Sequence, residues 1–400
     1  MDLTSDYPFW SIRNGLVKNY PSLDHDLTCD AVVVGGGITG ALVAFHLAEA
    51  GIHTVLLDKR DIGTGSTSGS TALLQYEVDV PLRQLVRKIG RAKANRSYQL
   101  CHEAVIQLGQ LVRKLKINCD FEKKPSLFLV RALREIPGLK EEFHLRRELG
   151  FDLDFWDQSE IERHFPFSRP AALFSQNGGQ VDPHRLTHGL LAAGCHRGLQ
   201  VFDRTTVRRF EPNRRGIRLT TGNGITVKAR RAIMAAGFES MAWLRGEAGS
   251  LKSTYALISE PVTEPLDWHG RSLIWESGMP YLYLRTTGDN RVIVGGEDED
   301  FTDPARRDAL ISRKTRTLLR KFKQLFPATK LEVAYSWAGT FGETKDGLAY
   351  IGPNHSLPHA YFALGYGGNG ITYSLIAAEI IRDDFLGRRN PDAGIFAFDR

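Results

Sequence analysis

The segment Ala31-Val32-Val33-Val34-Gly35-Gly36-Gly37-Ile38-Thr39-Gly40 decides the reading of this chain. Four consecutive apolar residues suit a strand buried on both faces of a parallel sheet. The glycines that follow have the spacing G-x-G-x-x-G. Gly35 permits a tight turn, Gly37 lets a pyrophosphate approach the backbone, and Gly40 lets the next helix pack closely on the strand. That helical pattern runs from about Thr39 to Ala50 and stops at Gly51. Its first amides, around Ile38 and Thr39, offer donors and the positive end of a helix dipole to phosphates. Thr54-Val55-Leu56-Leu57 is a second strand, and Asp58 at its end is placed for a ribose hydroxyl. Strand, glycine turn, helix, strand and acid in this order make a specific dinucleotide signal. It does not choose between FAD and NAD.

A second stretch near the other end makes that choice. Leu364-Gly365-Tyr366-Gly367-Gly368-Asn369-Gly370-Ile371 precedes another helix. Bare backbone amides at a helix start suit a developing negative charge, such as that on the N1/C2-carbonyl edge of a flavin. A nicotinamide enzyme has no need of this second cradle. Tyr361 to Ala378 carries no charge over about the length of a membrane span, but the glycines in its first half predict a turn followed by a buried helix.

Around these anchors the chain reads as an ordinary globular protein. Its 400 residues are 42% hydrophobic and 24% charged, enough for two domains with cores of their own. The formal net charge of +6 is spread along the chain. Its densest group (Arg208, Arg209, Arg214, Arg215, Arg230, Arg231) falls on short hairpin strands, which predicts a solvated surface, and no nucleic-acid module accompanies it. Cys29, Cys101, Cys119 and Cys195 form no C-x-x-C pair and no metal pattern, so no metal is expected and a reducing cytoplasm is. The opening MDLTSDYPFW is not a signal peptide, and residues 1–26 read as an irregular leader.

Helical patterns are expected over 82–115, 135–149 and 304–325, and a helix beginning at Pro183 with Asp182 as its cap. Strands are expected at 125–131, through 201–235 as hairpins, and through 254–296 as a mixed or antiparallel sheet. Nucleotide-type signals at both ends and in the middle predict an α/β protein: a Rossmann-like FAD-binding domain (27–90, 168–245 and 337–400) interleaved with an α+β substrate domain (91–167 and 246–336) built on a large mixed or antiparallel sheet.

Several motifs recur here in the order of a known family. They are Gly35–Gly40 with Asp58, the loop Gly63-Thr64-Gly65-Ser66-Thr67-Ser68, Met234-Ala235-Ala236-Gly237, Tyr281-Leu282-Tyr283-Leu284-Arg285 running to Gly296, Trp337-Ala338-Gly339-Thr340 and the late glycine turn. From about residue 28 onward the chain resembles the D-amino-acid oxidase superfamily, with its glycine, sarcosine and γ-glutamylputrescine oxidases. The resemblance implies an extended FAD, with its adenosine near Gly35–Gly40, Asp58, Lys59, Arg60 and Val207. Its ring system would lie near Ser66, Thr67, Ser70, Thr71, Gly339, Asp346 and Gly367 to Ile371, and Ala236 and Gly237 would be further cofactor contacts. It implies hydride transfer from a carbon bearing nitrogen to flavin N5, giving an imine that hydrolyses, with oxygen or another acceptor reoxidising the cofactor.

The departures from the family are informative. Where some sarcosine oxidases attach FAD through cysteine this chain has Gly339, which predicts non-covalent FAD. Where the family binds a substrate carboxylate with arginine or lysine, it has Gln75, Phe341 and Thr372. Where sarcosine oxidases place an oxygen-activating lysine it has Ile293. The expected substrate is therefore a small amine or amino-acid-like molecule without an α-carboxylate at the usual place. Tyr281, Tyr283, Arg285, Glu77 and Phe341 are the pocket candidates, with Glu276 a further partner for a cationic amine and Arg285 a replacement cation. The alternatives are a dehydrogenase with a non-oxygen acceptor, a tRNA-modifying oxidoreductase domain, a non-catalytic flavin-bound subunit and an NAD dehydrogenase.

Overall fold

The computed structural model describes residues 2–5, 7–244 and 249–400. Its first unit is the one the opening segment dictates. Leu27–Val34 is a strand ending in four buried residues, and Ile38–Glu49 is a helix buried along almost its whole length, as expected of a helix that is apolar all round. Gly35 has φ 118°, and a Cβ on Gly40 would stand 1.8 Å from the Gly35 carbonyl oxygen. Helix and turn meet at a distance only glycine allows.

The strands Ala360–Leu364, Thr226–Met234, Leu27–Val34, Thr54–Leu57 and Gln200–Phe202 lie side by side in that order, all parallel. Tyr350–Pro353 adds an antiparallel edge, and the hairpin Val207–Asn213 and Gly216–Thr221 continues antiparallel from Thr226–Met234. Helices Ile38–Glu49, Pro183–Cys195 and Gly370–Phe385 pack together on this sheet. Asp182 caps Pro183–Cys195, its carboxylate accepting the His184 and Arg185 amides at 3.0 and 2.9 Å. Gly370–Phe385 is buried in the core, and no described helix is long and apolar enough to cross a membrane.

Among the described residues the second sheet has nine strands. From one edge these are Val333–Glu343, Ser250–Ser259, Val292–Glu299, Leu282–Thr286, Leu273–Glu276, Glu122–Val130, Ala171–Gln180 and Leu73–Leu74, with Leu153–Asp157 also beside Ala171–Gln180. All neighbours are antiparallel except Leu273–Glu276 and Glu122–Val130. One face packs on helix Ile311–Leu325 through Leu318, Phe322 and Leu325.

Three strands from segments expected in the cofactor domain lie in the second sheet. Leu73–Leu74 and Ala171–Gln180 pair with each other in the second sheet, and Val333–Glu343 pairs with Ser250–Ser259 there. All or most of each falls within 27–90, 168–245 or 337–400. Partner choice is a long-range property, and local composition does not carry it. The long helical stretch after residue 82 divides at Gly90 (φ 83°), and that after 304 divides near Leu310. The small-residue loop holds a one-turn helix, Ser66–Gly69.

The leader is ordered rather than irregular. Phe9–Asn14 is helical with Trp10 fully buried. Leu3 O accepts the Thr340 amide at 2.8 Å, the Ser5 amide donates to Ala338 O at 3.0 Å, and Thr4 bridges Gly339. The leader thus covers the exposed edge of Val333–Glu343, where unpaired amides invite pairing. All four cysteines are free.

Candidate active site

A cavity of about 680 Å³ runs along the carboxyl edge of the parallel strands. Leu57, Val34, Ala235 and Leu364, at or just beyond the ends of four adjacent strands, all line it. Three strand spacings separate the Leu57 and Leu364 strands, about 14 Å. Open α/β sheets bind ligands in this crevice.

At the Leu57 end, Asp58 holds the glycine turn. Its Oδ2 accepts the Gly36 amide at 2.5 Å and its Oδ1 accepts the Arg60 amide at 2.7 Å. Burial raises the Asp58 pKa, and those two amides oppose the rise. Lys59 and Arg60 line the cavity and share Glu239, Lys59 at 2.7 Å and Arg60 at 3.2 Å. Thr67 Oγ1 accepts the Ile38 amide at 3.0 Å, supplying the acceptor a helix with Gly37 as its cap lacks. Gly35, Gly37, Thr39, Val207, Ala236 and Gly237 also line the cavity; Gly40 does not, and serves the packing of helix on turn.

At the Leu364 end, Gly367 has φ 54° and its amide donates to Gly342 O at 2.9 Å. The Gly368 amide donates to Asp79 Oδ2 at 3.0 Å. Asn369 Nδ2 donates to Gln75 O and Glu77 O at 3.1 and 2.8 Å, tying the turn to the 75–79 segment. Gly370, Ile371, Gly339, Ser66, Ser70 and Thr71 complete this part of the wall.

These residues fit FAD. Helix-start amides stand at both ends of one long cavity, Ser66 Oγ is buried without a partner, and a Cβ on Gly237 or Gly370 would meet only open space. A dinucleotide bridging the two glycine turns would engage those donors and that space.

The second sheet forms the opposite wall with Tyr281, Tyr283, Trp275 and Phe341. The Tyr283 ring lies over Gly295, whose added Cβ would be 2.2 Å from it, and burial pushes both tyrosine hydroxyls up to about 12. Three carboxylates share this wall: Asp79, Asp298 and Glu343. Burial pushes Asp79 up to about 6; Glu343 and Asp298 add to the rise, while the Gly368 amide and Lys252 oppose it. Asp298 is likewise pushed up to about 6, by burial first and Glu343 next, with Thr254, Lys252 and Lys314 opposing, and among the described residues its Oδ1 is buried without a partner. Lys252 Nζ stands 2.8 Å from Glu343 and 3.6 Å from Asp300. Among the described residues, the cations lining the cavity are Lys59, Arg60 and Arg208, all at the Leu57 end.

Several expected site residues have other roles. Glu77 borders the cavity, but its Oε1 accepts from Arg146 at 3.1 Å, and Arg146 also binds Glu142 at 2.7 Å in a fully buried cluster. Glu276 is held by Arg131 and Arg169 at a separate recess. Arg285 is outside the cavity lining. It is buried over Trp10 and donates to Ala72 O and Val181 O at 2.9 and 3.2 Å, and desolvation pulls its pKa down to about 9. Asp346 also stands outside the lining, gripped by Arg400 at 2.7 and 2.8 Å. Tyr281, Tyr283 and Phe341 do line the cavity, as does Gln75, while Thr372 is buried beside Gln75 O. His355 is exposed. The sequence reading missed Asp79, Asp298, Glu343 and Trp275, and missed the leader residues Leu3 and Thr4, which also line the cavity.

A family model described as DAO, FAD dependent oxidoreductase, matches residues 30–383. The gamma-glutamylputrescine oxidoreductase of Escherichia coli (strain K12) is 27% identical over 384 residues, covering 91% of this chain and 86% of that protein. The glycine oxidase of Bacillus licheniformis is 25% identical, covering 92% of this chain and 96% of that protein. The crystal structure of glycine oxidase from Geobacillus kaustophilus shares the fold, with a TM-score of 0.79 at 20% identity over 94% of this chain and 99% of that one.

Proposed function

This chain belongs to the DAO family of FAD-dependent oxidoreductases, and we propose that it oxidises a C–N bond in an amine that carries no α-carboxylate. One observation carries the reading: among the described residues, the cavity end beside the late glycine turn is lined by Asp79, Asp298 and Glu343 and by no cation. A carboxylate brought there would be desolvated against like charge, at a cost of several kcal/mol. An ammonium meets the opposite situation. Gln75, Phe341 and Thr372, which stand where the resemblance implies carboxylate-binding cations, support the same conclusion.

FAD, held non-covalently, supplies a two-electron acceptor. The chain supplies position and electrostatics. Tyr281, Trp275 and Phe341 form an aromatic wall that excludes water from the reacting carbon. The carboxylates at that end draw in the cationic amine and orient it. Loss of a hydride from carbon and a proton from nitrogen leaves an imine, which water hydrolyses to a carbonyl compound and ammonia, or to a carbonyl compound and a smaller amine where the nitrogen is alkylated. The γ-glutamylputrescine enzyme, whose name gives it a substrate with an aliphatic amine chain, is a relative consistent with this class.

The test is anaerobic mixing of the purified yellow protein with butylamine, N-methylbutylamine, glycine, sarcosine and D-alanine. Bleaching of the visible flavin bands by the amines alone is the expected result. Bleaching by the amino acids alone overturns the reading. Working without oxygen separates substrate choice from acceptor choice.

A further inference from the structure

The carboxylates at the reacting end outnumber what one amine nitrogen requires. Asp79, Asp298 and Glu343 all line that end, and the ammonium among them, Lys252, is bound to Glu343 and shared with the exposed Asp300. Lys252 is ion-paired to Glu343 and Asp300, and among the described residues no lysine or arginine forms an ion pair with Asp79 or Asp298.

These groups close a cavity built for a ligand rather than forming a surface patch. Asp79 is fixed by the Gly368 amide at 3.0 Å, on the turn that forms the cofactor cradle. Asp298 comes from the facing strand, Val292–Glu299; the Thr254 hydroxyl acts on its carboxylate, while among the described residues its Oδ1 is buried with no geometric hydrogen-bond partner. The mutual repulsion and desolvation that lift both carboxyls toward neutral pH are relieved by a cation entering between them.

We infer that the substrate carries a second ammonium, held by Asp79 and Asp298 with Glu343 behind them, so that its class is an aliphatic diamine or an N-alkylated relative. The inference rests on the proposed function. One nitrogen is attached to the carbon that is oxidised, and the other anchors the chain.

Three probes of equal chain length isolate the second charge: 1,4-diaminobutane, butylamine and 4-aminobutanoate, titrated into the FAD-loaded protein while the flavin band shift is followed. The diamine should bind about tenfold or more tighter than butylamine, the scale set by close complementary charges, and 4-aminobutanoate weakest. Asp298→Asn and Asp79→Asn, chosen among preparations that retain a full FAD complement, should each lose most of that preference. Equal binding of diamine and monoamine, failure of the diamine to bind, tightest binding of 4-aminobutanoate, or an undiminished diamine preference in both variants overturns the inference. Preferential bleaching by glycine or sarcosine is a different failure, that of the proposed function.

Discussion

Trp10 and Trp337 donate their indole N–H groups to consecutive carbonyl oxygens, Trp10 to Ser70 at 2.7 Å and Trp337 to Gly69 at 2.8 Å. One tryptophan comes from the leader helix and the other from the edge strand of the second sheet, and both are buried. Between them they fix the loop whose Ser66, Thr67, Ser70 and Thr71 line the cofactor cavity. Trp10→Phe or Trp337→Phe strands a carbonyl, at a cost of about 1–3 kcal/mol. Each variant is expected to melt earlier, and the rise in Tm on adding FAD should shrink, because the loop must now be ordered by the ligand. Melting curves with and without added FAD check this. An equal fall in both would make the contact purely structural.

The leader shows where sequence reading stops. Residues 1–26 carry no periodic pattern, yet Leu3, Ser5 and Trp10 are buried against distant parts of the chain. The cofactor half was legible because its signals are local: glycine spacing, a buried apolar strand, an acid at the next strand end. The substrate half depends on which face a side chain takes after an irregularity. Gly296 and Glu297 both have positive φ (129° and 60°), and the register opposite shifts between Ser253 and Tyr255. Such a bulge breaks the two-residue alternation that would have assigned Asp298 to the cavity. Glu77 and Asp79 have the same parity and similar chemistry, and only the position of Arg146, far along the chain, separates their roles.

That separation predicts different outcomes for the two acids. Glu77→Ala removes one of two carboxylates from the fully buried Arg146, and breaking such a cluster costs about 3–5 kcal/mol. Urea unfolding should show a loss on that scale. The protein that folds should keep its order of preference among amines, measured by anaerobic bleaching, whereas a changed order would return Glu77 to the substrate site.

Asp346 and Arg400 give an acid-sensitive tie outside the cavity lining. Burial opposes ionisation of Asp346, but the two Arg400 hydrogen bonds prevail and its pKa is lowered. A lowered folded pKa contributes stability that is full above the unfolded value, about 3.9, and is lost as pH falls through the folded one. Arg400→Ala should therefore destabilise the protein at about pH 7, with the gap from the parent narrowing below about pH 4 to the share of the Arg400 hydrogen bonds to Leu348 O, Ala349 O and Ala397 O, and the flavin spectrum unchanged. A gap constant with pH, or a shifted spectrum, would contradict this role.

Asp79 and Asp298 have the opposite sign. Both are pushed up to about 6 by burial, with carboxylate neighbours adding to the rise. Glu343 raises both, Asp298 also raises Asp79, and Lys252 opposes both; Lys314, Thr254 and the Gly368 amide oppose individually. A raised folded pKa costs no stability below the unfolded value near 4. The cost grows from there to about pH 6 and is complete above it. Asp298→Asn should thus raise Tm at about pH 8 and change it little at about pH 4. Cation affinity moves with the same ionisation, so 1,4-diaminobutane should bind more tightly as pH rises through about 6 and level off above about 7, with Asp298→Asn flattening the curve. Thermal melts and flavin-shift titrations on one set of buffers measure both. If the gain in Tm is as large at about pH 4 as at about pH 8, the ionised carboxylate is not what burdens the folded site, and the charge argument for a dicationic substrate loses its support.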